Sequence, residues 1–125
     1  MIEGVVRRRE ALVRLAVRGV GGLQQEIEAV VDSGHTGWLT LPPALIAALG
    51  LRWETISGGI LADGSFGPFA IYRATIEWDR RLRRIFVAEL DSTPLIGMSL
   101  LRGYEYKMQV RAQGRVTIRR LNSRW

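Results

Sequence analysis

One carboxylate in this sequence stands where a carboxylate is costly. Asp32 directly follows Ala29-Val30-Val31, where an alternating run turns fully apolar and heads for the interior. A charged group placed there needs hydrogen-bond partners or a chemical task. The residues after it, Ser33-Gly34-His35-Thr36-Gly37, include two glycines that let backbones approach closely. Asp-Ser-Gly by itself also reads as an ordinary turn. The chemistry open to such an aspartate is general acid–base work. An ionised carboxylate can take a proton from water, and a protonated one can polarise a carbonyl. One carboxylate cannot hold both roles at once, so hydrolysis by this route needs two.

Other chemistries have little to work with. The chain has 125 residues, no cysteine and a single histidine, His35. That leaves no disulfide framework, no thiolate metal site and no His-rich cluster, so neither metal nor cofactor is expected. A Ser-His-Asp triad would have to use the one imidazole.

The elements that position Asp32 are strands. Ala11–Arg18 and Leu23–Val31 each alternate with a period of two, and Val20-Gly21-Gly22 between them is turn chemistry, giving a β-hairpin. Trp38–Leu41 reads as a short apolar strand. Pro42-Pro43 ends it, and Ala44–Leu49 reads as a short helix stopped by Gly50. A second hairpin is expected to turn at Asp63-Gly64. Phe69–Trp78 and Leu82–Leu90 are strands joined by a turn at Asp79–Arg81. After Pro94-Leu95-Ile96-Gly97 comes a short helical segment, Ser99–Arg102. Tyr104–Arg111 and Arg115–Leu121 form the last hairpin, turning at Gln113-Gly114. The chain is therefore expected to be all-β with one or two helical turns, a single domain over 1–125.

The ordered set Ala29-Val30-Val31-Asp32-Ser33-Gly34, then Ile60-Leu61-Ala62-Asp63-Gly64-Ser65, then Pro94-Leu95-Ile96-Gly97-Met98-Ser99-Leu100-Leu101 resembles the retropepsin-like aspartic proteases, in particular the small bacterial single-domain members. The resemblance runs from about Leu12 to Leu121. It implies a closed acid-protease (retropepsin-like) barrel with one or two short helices. It implies an aspartic endopeptidase in which Asp32 is catalytic. Ser33 would hydrogen-bond across a dimer axis, and the Gly34 N–H would approach the carboxylate. Ile96 and Gly97 would pack beneath the loop. The hairpin carrying Leu61, Ala62, Asp63 and Gly64 would close over a peptide, with His35 and Thr36 also contacting substrate. The chain ends, Met1–Val6 and Gly114–Leu121, would form the dimer sheet.

Only one usable motif is present. Asp63-Gly64-Ser65 has the wrong order, and Asp91-Ser92-Thr93 lacks the glycine. An active enzyme of this kind is therefore a homodimer, whose twofold axis brings a second Asp32 opposite the first. Two carboxylates about 3 Å apart share one proton, the known behaviour of aspartic-protease dyads. The sequence departs from the family at His35, where a small or apolar residue is usual. It departs again at Thr36 or Gly37 and at Met98, where retroviral members carry an Asp–Arg brace. These departures keep a second reading open: a catalytically weak or inactive peptide-binding module on the same fold.

The net charge is +6, and Lys107 is the only lysine. Such a basic chain raises nucleic-acid binding. Apart from Arg7-Arg8-Arg9, however, the arginines mostly sit singly or in pairs along the sequence and read as solvated strand faces, so no specific nucleic-acid partner is expected. The arginines of Met1–Gly19 interrupt every apolar run, which argues against a signal peptide or membrane helix and for a soluble cytoplasmic protein.

Overall fold

The structure, a computed structural model, describes residues 1–60 and 66–122. The expected turn at Asp63-Gly64, with Leu61 and Ala62, lies outside the described residues.

Strand β1 (Ile2–Arg7) runs into β2 (Glu10–Arg18) through Arg8-Arg9, both with positive φ, 53° and 63°. Two successive left-handed residues give a turn whose twist matches that of the flanking strands. Arginine carries no turn signal, so this hairpin is silent in the sequence. In β2 the residues Ala11, Val13, Leu15 and Val17 are all buried, as the alternation requires. A single 3₁₀ turn at Val20–Gly22 leads to β3 (Gln24–Val31), which buries Ile27, Ala29 and Val31. The short β4 (Leu39–Leu41) is wholly buried. Helix α1 (Pro43–Leu49) starts on Pro43, whose lack of an N–H is harmless in a first turn. It stops at Gly50, which takes the left-handed conformation (φ 59°) and donates its N–H to the Ala47 carbonyl at 3.1 Å.

Strands β5 (Arg52–Ile60) and β6 (Phe66–Trp78) pair antiparallel, and β6 continues into β7 (Arg81–Glu89) through a second left-handed pair, Asp79-Arg80. The two-residue β8 (Leu95–Ile96), helix α2 (Met98–Leu101), β9 (Tyr104–Met108) and β10 (Arg115–Arg120) complete the chain.

The ten strands form one sheet in the order β5-β6-β7-β4-β8-β3-β2-β1-β10-β9. Ala16–Arg18 of β2 also pair with Thr75–Glu77 of β6. That extra pairing closes β6, β7, β4, β8, β3 and β2 into a ring. The mostly-strand architecture with two short helices is as expected, and these six strands are joined in a hydrogen-bonded circuit. Its interior holds Val17, Leu39, Leu41, Ile76, Trp78, Val87, Ile96 and Leu100, each at most 1 % exposed. Fully burying such an aliphatic side chain contributes about 1.5–3 kcal/mol.

The two chain ends pair with each other. β1 lies between β2 and β10, and β10 lies between β1 and β9. Both terminal strands therefore have neighbours on both sides within the chain. The unpaired edge at this end of the sheet is β9, because the chain supplies its own second strand through the Tyr104–Arg120 hairpin. No helix among the described residues is long and apolar enough to cross a membrane.

Candidate active site

The sheet order puts β8 between β3 and β4, parallel to the first and antiparallel to the second. The segment joining β3 to β4 must therefore cross over the end of β8, and Asp32 begins that crossing. Five hydrogen bonds fix the crossing segment to the chain leaving β8. The Asp32 N–H donates to the Ile96 carbonyl (2.9 Å), Gly97 N–H to Trp38 (3.0 Å), Met98 N–H to His35 (2.7 Å) and Ser99 N–H to Gly37 (3.1 Å). The Ser99 hydroxyl donates to the Thr36 carbonyl (2.6 Å). Such dense pairing leaves little room for the loop to move independently of the barrel.

Within the loop, the Gly34 N–H donates to Asp32 Oδ1 at 3.0 Å, and the His35 N–H to the Asp32 carbonyl at 3.1 Å. These bonds turn the chain sharply and orient the carboxylate. Asp32 is half-buried, while Ser33 and Gly34 are exposed. The carboxylate is thus held by its loop yet open to solvent on one side.

Gly97 shows why this crossing needs glycine. A Cβ there would lie 2.1 Å from the Gly37 carbonyl oxygen and 2.7 Å from His35 Cδ2. Ile96 is fully buried beneath the loop. The structure thus brings Asp32, Ser33, Gly34, His35, Thr36, Ile96 and Gly97 together. Leu61, Ala62, Asp63 and Gly64 lie outside the described residues.

His35 lies under the loop, half-buried, with its ring against Gly97 and Gly37. Its Nε2 is 3.0 Å from Oγ1 of Thr40, a fully buried residue of β4. The imidazole is therefore engaged in the floor of the site, and Thr36 is the exposed side chain beside it. Thr40 and Ser99 had no assigned role in the sequence reading. Thr40 carries a faint signal as the lone polar residue of an apolar strand, and Ser99 carries none.

Two tryptophans differ in their surroundings. Trp38, at the end of the loop, is half-buried with the Arg83 guanidinium 5.3 Å from its ring centroid. Trp53 is 56 % exposed on β5. Far along the chain, Asp79 accepts a hydrogen bond from the N-terminal ammonium at 3.0 Å, with Arg120 3.8 Å away. The ammonium chiefly, and then Arg120, hold its carboxyl below the usual range. Burial pushes the Tyr106 hydroxyl upward. Among the described residues, no group of three His, Cys, Asp or Glu side chains could hold a metal ion.

The Asp32 loop thus crosses the end of β8 on a hydrogen-bonded circuit of strands. The comparisons agree at the level of fold. No protein-family model matches the sequence, nor does any curated protein. Among solved structures, the chain is similar to a retropepsin-like aspartic protease from Rickettsia conorii, with a TM-score of 0.59 and 15 % identity over 97 % of this chain and 91 % of that one. It is also similar to EIAV protease in complex with an inhibitor, with a TM-score of 0.54 and 17 % identity over 76 % of this chain and 88 % of that one. The fold is retropepsin-like.

Proposed function

We propose that this protein is an aspartic endopeptidase active as a homodimer, with one Asp32 from each copy forming the dyad. The observation that carries the reading is the Asp32 loop itself. It is bonded to Ile96–Ser99, half-open to solvent, and set on a retropepsin-like fold. In the proposed mechanism one carboxylate is ionised and its twin protonated. The ionised oxygen takes a proton from water as that water attacks the scissile carbonyl carbon. The protonated carboxyl donates a hydrogen bond to the carbonyl oxygen. Collapse of the tetrahedral adduct then returns a proton to the leaving amine, and no covalent enzyme intermediate forms. The dyad titrates as a pair. Substrate binds as an added strand, its side chains alternating into pockets, with Thr36, Leu61, Ala62, Asp63 and Gly64 contacting it. Ser33, exposed, extends its hydroxyl to the second copy, and the free edge of β9 supplies backbone donors and acceptors for the same partner. Neither metal nor cofactor takes part.

The second reading is a peptide-binding module of little or no activity on the same fold. It is favoured by the residues at the brace positions, where Thr36 or Gly37 and Met98 offer no ion pair. The deciding experiment measures cleavage of a diverse peptide library from pH 3 to 8 by wild type and Asp32→Asn, with the oligomeric state of both determined. Cleavage by a wild-type dimer and none by the variant is the expected result. Turnover by Asp32→Asn would sink the assignment, and a folded dimer that binds peptides without cutting them would select the second reading.

A further inference from the structure

The outer face of β6 gathers charge that the sequence scatters. Thr75 lies directly beside Arg18 of β2 on one side and Arg84 of β7 on the other. Two residues away on the same face, Arg73 lies beside Arg52 of β5 and Phe86 of β7. Between Arg73 and Thr75, β6 exchanges one neighbour for another, β5 for β2. The end of β2 and the start of β5 leave a notch there, an open pocket of about 250 Å³ lined by Arg18, Gly19, Val20, Arg52, Arg73 and Arg84, with Ala74 and Thr75 at its base.

All four arginines are exposed. Arg73 pairs with Glu54 at 2.7 Å and has its guanidinium 5.6 Å from the centre of the Phe86 ring. Among the described residues, no carboxylate lies within 4.0 Å of Arg18, Arg52 or Arg84. Glu77, farther along the same face of β6, is outside the pocket lining. Like charges set directly opposite across a strand pair, as Arg52 and Arg73 are, repel each other. A bound anion would remove that repulsion. Guanidinium forks match phosphate oxygens, and the only lysine of the chain is elsewhere.

We propose that this notch is a phosphate-binding site for a compact ligand carrying several phosphates. Arg18 and Arg84 stand two strand spacings apart, about 10 Å, wider than one phosphate can bridge. Arg18 is also six residues along β2 from Leu12, the partner of Val30, which lies two residues before Asp32. That is about 20 Å of strand, so the site is separate from the aspartate loop and does not depend on protease activity.

The test is isothermal titration of the intact chain with tripolyphosphate, orthophosphate and a single-stranded 12-nucleotide DNA. Wild type is expected to bind tripolyphosphate at one site per chain and orthophosphate at least tenfold more weakly. Arg18→Gln and Arg84→Gln should each weaken tripolyphosphate binding at least tenfold. Arg84→Lys should also weaken it by removing the fork while keeping the charge. Arg111→Gln, an equal charge change outside the pocket, should leave it unchanged. Circular dichroism checks that each variant is folded. Non-saturating binding, equal loss in Arg111→Gln, or binding of the oligonucleotide alone would overturn the proposal.

Discussion

The imidazole of His35 and the hydroxyl of Thr40 meet 3.0 Å apart beneath the Asp32 loop, joining the loop to a fully buried strand. The contact lies close to Gly97. Removing one member strands the other. Thr40→Val and His35→Ala are each expected to lower the unfolding free energy by about 1–3 kcal/mol, and the double variant to lose less than the sum. Urea unfolding of the four proteins measures this. Strict additivity would show that the two groups do not act together.

Gly97 and Gly37 separate two kinds of close approach. An added Cβ at Gly97 meets a backbone oxygen at 2.1 Å, whereas one at Gly37 meets the His35 ring at 2.9 Å. A ring can turn aside and a paired carbonyl cannot. Gly97→Ala is expected to cost about 1–3 kcal/mol or more, and Gly37→Ala clearly less. Thermal unfolding ranks them, and the reverse order would refute the packing argument.

Ser33→Ala tests the proposed bond across the dimer axis. Two symmetric hydroxyl bonds at about 1 kcal/mol each correspond to a dimer dissociation constant raised roughly thirtyfold. Sedimentation at graded dilution reads this directly. An unchanged constant would remove Ser33 from the interface.

Asp79 links stability to pH. The N-terminal ammonium lowers its folded pKa below the usual value of 3.8. The folded chain therefore binds this proton less tightly than the unfolded chain. Its contribution is complete above the unfolded value and is lost as pH falls through the lower folded value. Melting temperature should drop as pH falls below about 4, more steeply in wild type than in Asp79→Asn. N-terminal acetylation should flatten the wild-type curve too, since it removes the largest cause of the shift. Parallel curves for wild type and Asp79→Asn would contradict this.

Much of the fold is legible in order of sequence because alternation reports directly on burial. The runs Ala11–Arg18 and Leu23–Val31 announce their inner faces, and Pro43 and Gly50 announce where α1 begins and ends. The Asp32-Ser33-Gly34 loop and the Leu95-Ile96-Gly97 segment beneath it are also visible, because a carboxylate after an apolar strand and a glycine before a helix are unusual enough to notice. The Arg8-Arg9 turn is not, since its left-handed pair is held by the strands it joins and not by its own propensity.

The sequence by itself determined the period of each strand, the identity of the one aspartate motif, and the need for a second copy if that aspartate is to catalyse. Only the tertiary structure decided which strands lie side by side. A period of two tells which face a residue occupies but not what stands next to it. Pairing across distant segments set β10 against β1 within one subunit, turned His35 under the loop onto Thr40, and drew Arg18, Arg52, Arg73 and Arg84 around one notch.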